Sequence, residues 1–269
     1  GVQTCALPIS LSDIDSDVDL AIVATPASTV PGMVKEAGEK EIPAVIIVSS
    51  VFGEGGSEGE RLENEISEIR KEFGMRIIGP NSLGVLRPVK NMNATISKKM
   101  SGKGSIAFIS QSGALGPSIL HQKSQRGFGV SAFVSVGNMI DVDFGDLIDY
   151  FGRDPVTRTI LMYVESIRDP EKFISAAKGF AKAKPIILEK AGRYPESSNA
   201  VISHIGFSYG DRLLYDALFR RSGVVEVSEI SDLFSCSEAC SHGCLPKGPR
   251  LAIVTNAGGP GIMASDVLI

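Results

Sequence analysis

The chain has 269 residues, 43% hydrophobic and 22% charged, with 29 glycines, no tryptophan and a net charge of −4. This describes a globular protein long enough for one to two domains of roughly 150 residues. An acidic balance without a basic stripe excludes a binder of nucleic-acid backbone, and no uninterrupted apolar run approaches the ~20 residues that span a bilayer.

Residues 1–10 read like the translation of a sequencing adapter and are set aside from fold reasoning. After them, short apolar runs at 18–24, 44–49 and 76–78 are typical of parallel strands covered on both faces. Helical patterns at 29–40 and 57–73 separate them; in the second, Leu62, Ile66, Ile69 and Phe73 share one face. This is the latter half of a doubly wound, Rossmann-like sheet. A polar connector over 98–104 marks a domain boundary. Beyond it strands are expected at 105–109, 131–136, 159–164, 186–189 and 224–227. Helices are expected at 114–126, 144–151, 170–183, 209–222 and 230–242. Five strands with helical crossovers predict a flavodoxin-like parallel sheet. At 251–254 a further strand is expected, and the run through Asn256, Gly258 and Gly259 echoes 106–113. The class is therefore α/β: a partial Rossmann-like domain over 11–97, a flavodoxin-like domain over 98–247, and the truncated start of a second one over 248–269.

In an open parallel sheet, ligands bind beyond the carboxyl ends of the strands. There, Ser110-Gln111-Ser112-Gly113-Ala114 joins a strand to a helix, and a helix N-terminus offers free N–H groups and a positive dipole end to a phosphate. Alone, the segment reads first as an ordinary cap with a turn glycine. Glu165 directly follows the 159–164 strand. His204 lies in the small-residue loop Ser203-His204-Ile205-Gly206, where packing gives no reason for an imidazole and a nucleophile is the natural reading. Such a histidine needs one neutral ring nitrogen exposed and the other bonded to an acceptor, which Glu165 can supply. His121 and His242 are read as structural.

Two patterns are set aside. Cys236, Cys240 and Cys244 fall on one helical face with Leu233, which points to core packing rather than to a metal site. Being few and clustered, they also point to a reducing, cytoplasmic compartment rather than to a disulfide framework. The glycines of 53–59 lack the Lys-Ser/Thr ending of a phosphate loop.

On the turn Gly79-Pro80-Asn81-Ser82-Leu83-Gly84, the 110–113 segment, the 203–206 loop and the 256–261 segment, the chain resembles the NDP-forming acyl-CoA synthetases of the succinyl-CoA synthetase superfamily. The resemblance implies an acid–thiol ligase. It would convert acyl-CoA, ADP and phosphate reversibly to acid, CoA and ATP, through an acyl phosphate and a phosphohistidine. It makes His204 the phosphorylated residue, Glu165 its orienting carboxylate, and Ser112, Gly113 and Ala114 the phosphoryl site. Coenzyme A would lie against Thr25, Pro26, Ser49, Ser50, Asn81 and Ser82, the last standing where the family more often has Cys. The opening strand and glycine-rich turn of the CoA-binding domain are expected to be missing, so that the chain alone would be inactive and bind CoA poorly. Ile205 and Phe207 depart from the family's Thr and small residue. ATP or ADP with Mg2+ would bind an ATP-grasp domain outside these residues, fused or on a partner subunit, and an oligomer is expected. A CoA-sensing regulatory module fused to a protein lysine acetyltransferase is the alternative. A flavodoxin-like flavin carrier is weaker, since nothing suggests stacking on an isoalloxazine ring.

Overall fold

The computed structural model describes residues 10–50, 52, 56–97, 102–116, 129–192, 212–241, 248 and 250–268. Two sheets organise them. The first is parallel, with strands β1 (Ala21–Val23), β2 (Ala44–Ile47) and β3 (Arg76–Ile78) side by side in that order. Helices α1 (Val30–Glu39) and α2 (Gly56–Phe73) complete this unit. Val34, Ala37, Leu62 and Ile66 pack with the sheet residues Val45, Ile47 and Ile77 in one core cluster. The helical period of the apolar positions in α2 is thus used as the sequence implies.

The second sheet has seven strands: β4 (Gly84–Arg87), β5 (Met92–Thr95), β6 (Gly102–Ser110), β7 (Gly129–Ser135), β8 (Thr159–Val164), β9 (Ile186–Lys190) and β10 (Val225–Val227). Their order is β10-β9-β8-β6-β7-β4-β5. The five strands from β6 to β10 are parallel. Numbered by themselves they run 2-1-3-4-5, the flavodoxin order, with its topological switch point between β6 and β8. Alternation along β6 sends Ala107 and Ile109 to one face and Ile106 and Phe108 to the other. The first face is covered by α3 (Phe144–Arg153), α4 (Pro170–Phe180) and α5 (Arg212–Ser222) through Phe144, Ile148, Phe151, Phe173 and Phe219. On the other, α6 (Ile230–Ser241) brings Leu233, Phe234, Cys236 and Cys240 onto Phe108 and Leu161. These two cysteines are core-facing, as their helical spacing implies; Cys244 lies outside the described residues.

Two features differ from the sequence expectations. β4 and β5 form a hairpin that pairs antiparallel with β7, so residues 84–95 extend the second sheet, not the first. The expected strand at 251–254 does not form. Leu251, Ile253 and Val254 are exposed with no ladder partner among the described residues, and only helix α7 (Gly258–Leu268) follows. Apolar, β-branched composition favours a strand, but cross-strand pairing makes one.

Candidate functional site

The carboxyl ends of the strands in the first sheet form a row. Val48 donates to the Val23 carbonyl at 2.8 Å, the Ser49 hydroxyl to the Thr25 carbonyl at 2.5 Å, and the Asn81 amide to the Ser49 carbonyl at 2.9 Å. Thr25, Ser49 and Asn81 are thereby brought together, with Pro26 and Ser50 exposed beside them. Ser82 is placed otherwise. It is buried, its hydroxyl donates to the Ser135 carbonyl at 2.5 Å and accepts from the Gly84 amide at 2.9 Å. That hydroxyl holds the 79–84 turn to the end of β7 rather than facing the row.

This turn is the bridge between the sheets. Gly79 has φ 107°, and a Cβ there would stand 2.4 Å from the Ile47 carbonyl oxygen. The loop after β7 runs alongside it: Asn138 donates to the Pro80 carbonyl, Ile140 to Gly79 and Val142 to Ile77, at 2.9, 3.2 and 3.1 Å. Gly137, at φ 57°, passes so close that an added Cβ would lie 2.0 Å from the Pro80 oxygen. Charged groups reinforce the junction. The Asp141 carboxylate takes Arg70 at 3.0 Å, Arg76 at 2.9 Å and the Ile77 amide at 2.8 Å. Asn138 donates to Glu63 at 2.6 Å, and Glu63 also faces Arg168 at 3.6 Å.

At the switch point of the second sheet, Ser110, Gln111 and Ser112 leave β6 while Glu165 and Ser166 leave β8. Ser110 accepts from the Val136 amide at 2.9 Å and turns its hydroxyl to the Ser112 carbonyl at 2.7 Å. A Cβ on Gly113 would stand 3.3 Å from Leu83, so the expected phosphoryl turn abuts the 79–84 turn. Ser112 and Gly113 are half-buried and Ala114 is exposed. Glu165 is 7% exposed. Burial, followed by the charges of Glu165 and Glu189, pushes the Tyr163 phenol well above its usual range, so it stays protonated beside these acids. A cavity of about 800 Å³ opens alongside, bounded by Ser166, Ile167, Arg168, Tyr215 and Leu218. His204, with His121 and His242, lies outside the described residues.

Sequence reasoning passed over two residues at this edge. Gln111, 6% exposed, accepts at Oε1 from the amides of Glu165 and Ser166 at 2.9 and 3.0 Å, and donates from Nε2 to the Ser166 hydroxyl at 3.0 Å. Lys190, 1% exposed at the end of β9, donates to the Ala191 carbonyl at 2.6 Å and sits 4.5 Å above the Tyr215 ring. No local pattern marks either one. Among the described residues no group of three or more His, Cys, Asp or Glu could hold a metal ion, and no helix is long and apolar enough to cross a membrane.

A flavodoxin-ordered sheet whose strand-end turns meet those of a smaller parallel sheet defines a two-unit α/β protein. Comparison with known proteins agrees: residues 103–240 match the succinyl-CoA ligase like flavodoxin domain and residues 5–88 the CoA binding domain, and the chain belongs to the succinyl-CoA ligase-like family. It is 44% identical over 257 residues to the acetate–CoA ligase [ADP-forming] II subunit alpha of Pyrococcus furiosus, covering 96% of this chain and 56% of that one. The corresponding subunit I of the same organism is 41% identical with the same coverage. Among solved structures, the dinucleotide forming acetyl-coenzyme A synthetase 1 of Ca. Korarchaeum cryptofilum, in complex with phosphate and ADP, superposes with a TM-score of 0.90. It is 36% identical, with 96% of this chain and 56% of that one covered. The chain thus spans little more than half the length of these relatives.

Proposed function

We propose that the complete protein is an NDP-forming acyl-CoA synthetase of the acetate–CoA ligase (ADP-forming) type. It would interconvert acyl-CoA, ADP and phosphate with acid, CoA and ATP. The observation that carries this reading is the unbroken series of strand-end turns from Thr25 through Ser49 and Asn81 to the switch point at Ser112 and Glu165. The relatives named above supply the reaction class.

In this reading CoA lies along Thr25, Pro26, Ser49, Ser50 and Asn81, with Pro26 and Ser50 exposed at the edge and the buried Ser49 tying the turns of Thr25 and Asn81 together behind them. Ser82 acts from behind, by fixing the turn. The acyl end reaches the 110–114 turn, with Ser112, Gly113 and Ala114 as the phosphoryl site where the chain enters the helix at Leu115. Phosphate attacks the thioester carbonyl, the C–S bond breaks, and the thiol leaves as acyl phosphate forms. His204 then attacks the phosphorus and the carboxylate departs. Glu165 holds the proton on the far ring nitrogen and stabilises the imidazolium-like product. The phosphoryl group would pass to ADP, held with Mg2+ on an ATP-grasp part in the same polypeptide or on a partner subunit, in an oligomeric assembly. A cytoplasmic setting fits the free thiols Cys236 and Cys240.

The test is phosphoenzyme formation. The complete protein given labelled ATP forms an acid-labile phosphoprotein, and His204→Ala abolishes it. Labelling of the variant at parental stoichiometry would overturn the assignment.

A further inference from the structure

We infer that Gln111 is the positioning residue for Glu165: it fixes the main chain from which the carboxylate projects, across the switch point, without touching the reacting atoms. The inference rests on the reading of Glu165 as the partner of His204.

The β6–β8 ladder holds strand pairs only as far as Ser110 and Tyr163, and the Gln111 amide closes it by donating to the Tyr163 carbonyl at 3.1 Å. Past that point β8 ends at Val164, and among the described residues no strand continues beside Glu165 and Ser166. One side chain stands in its place. The Gln111 Oε1 accepts from both amides and its Nε2 ties down the Ser166 hydroxyl, with the whole residue buried. Two successive N–H groups on one acceptor fix the peptide planes on both sides of the Glu165 Cα, and hence the direction in which its side chain leaves the chain. The same residue sits between Ser110 and Ser112 in the expected phosphoryl turn. A single group therefore sets the spacing between the turn and the carboxylate.

The residue type is selective. A lysine or arginine here would pair with the neighbouring carboxylate and reduce its pull on an imidazolium. An aspartate or glutamate could accept both amides but would add a second negative charge beside the incoming phosphoryl group. A neutral amide fixes the acid and leaves its charge intact.

The experiment compares Glu165→Gln, Gln111→Met and the double variant in the complete protein, measuring the rate of phosphohistidine formation, the KM for CoA and the thermal midpoint. Gln111→Met keeps the chain length and removes the three side-chain bonds. It is expected to slow phosphorylation about 10- to 100-fold, the scale of a small misplacement of a reacting group, with the KM for CoA unchanged. In the double variant the loss matches Glu165→Gln alone. Parental rates in Gln111→Met with a slow Glu165→Gln overturn the inference and leave the role of Glu165 standing. Losses that multiply in the double variant also overturn it, since Gln111 would then act by another route. A parental rate in Glu165→Gln removes the underlying reading itself. Should Gln111→Met fail to fold, Ser166→Ala serves: it removes one of the three bonds, is expected to cost about 2- to 10-fold, and loses that effect when Glu165 is already Gln. A parental rate in Ser166→Ala then overturns the inference.

Discussion

Replacing Asp141 by alanine tests whether the two sheets are held in register by one carboxylate. The side chain is 8% exposed and serves three donors, so the cost divides into three parts. The Ile77 amide belongs to a residue with no exposure and loses its acceptor, worth about 1–3 kcal/mol. Arg70 is 23% exposed and its Nε is already buried without a hydrogen-bond partner; its loss, discounted for access to water, is about 1 kcal/mol. Arg76 is 53% exposed and keeps Asp146 at 3.5 Å, so its share is near zero. The sum is about 2–4 kcal/mol, or a fall of roughly 5–15 °C in the midpoint of thermal unfolding. Asp141→Asn keeps an acceptor for Ile77 and is expected to cost about half as much. Calorimetry of the complete protein measures both, and the KM for CoA should rise in step, because the 136–142 loop presses on the 79–81 turn. An Asp141→Ala protein within 2 °C of the parent, or an Arg76→Ala protein equally destabilised, would show that the junction does not depend on this group.

Glu165→Gln is expected to keep the fold and slow phosphoryl transfer by roughly 10²–10⁴-fold; an unchanged single-turnover rate, with His204 still required, would assign the orienting role elsewhere. Gly137→Ala forces a side chain into a φ of 57° and against the Pro80 carbonyl, so it should destabilise by at least about 2 kcal/mol in urea unfolding and raise the KM for CoA, whereas a neutral result would mean the loop yields freely. Burial alone would raise the Asp146 carboxyl, but the bond from Lys172 at 2.5 Å and the charges of Lys172 and Arg76 outweigh it and hold it below the ordinary aspartate range. Its stabilising contribution is present above the unfolded value of about 3.9 and is lost as pH falls through the lower folded value. Asp146→Asn should therefore flatten the stability profile below about pH 4, and a profile of unchanged steepness would contradict the assignment.

What could be read from the sequence follows from how local the signal is. The cores of the parallel strands stood out because both faces are covered, which leaves continuous apolar runs such as 106–109 and 160–162. Glu165 could be placed at the carboxyl edge from its strand end alone, whereas Thr25, Ser49 and Asn81 were named only through the family resemblance. The β4–β5 hairpin could not: four-residue strands with half-buried alternation, separated by Pro88, gain their identity from pairing with β7 some fifty residues on. Gln111 escaped for the same reason, its partners lying 54 and 55 positions away. For Ser82 the motif position supplied the name, and burial beside a partner 53 positions away decides what its hydroxyl bonds.

The β4–β5 hairpin also constrains how this protein can be taken apart. Composition invites a cut near residue 98, where the polar connector lies, and the match to the CoA binding domain stops at residue 88, one residue past the end of β4 and before β5. Either cut would leave β7 with a bare row of backbone donors and acceptors on a strand whose side chains are nearly all buried, an invitation to pair with another copy. The cut near 98 would also hand the whole hairpin to a three-stranded sheet that never bonds to it, and the cut at 88 would split the hairpin between the two parts. An excised seven-stranded unit should therefore begin upstream of Gly84, and so must carry the closing turn of the other unit with it.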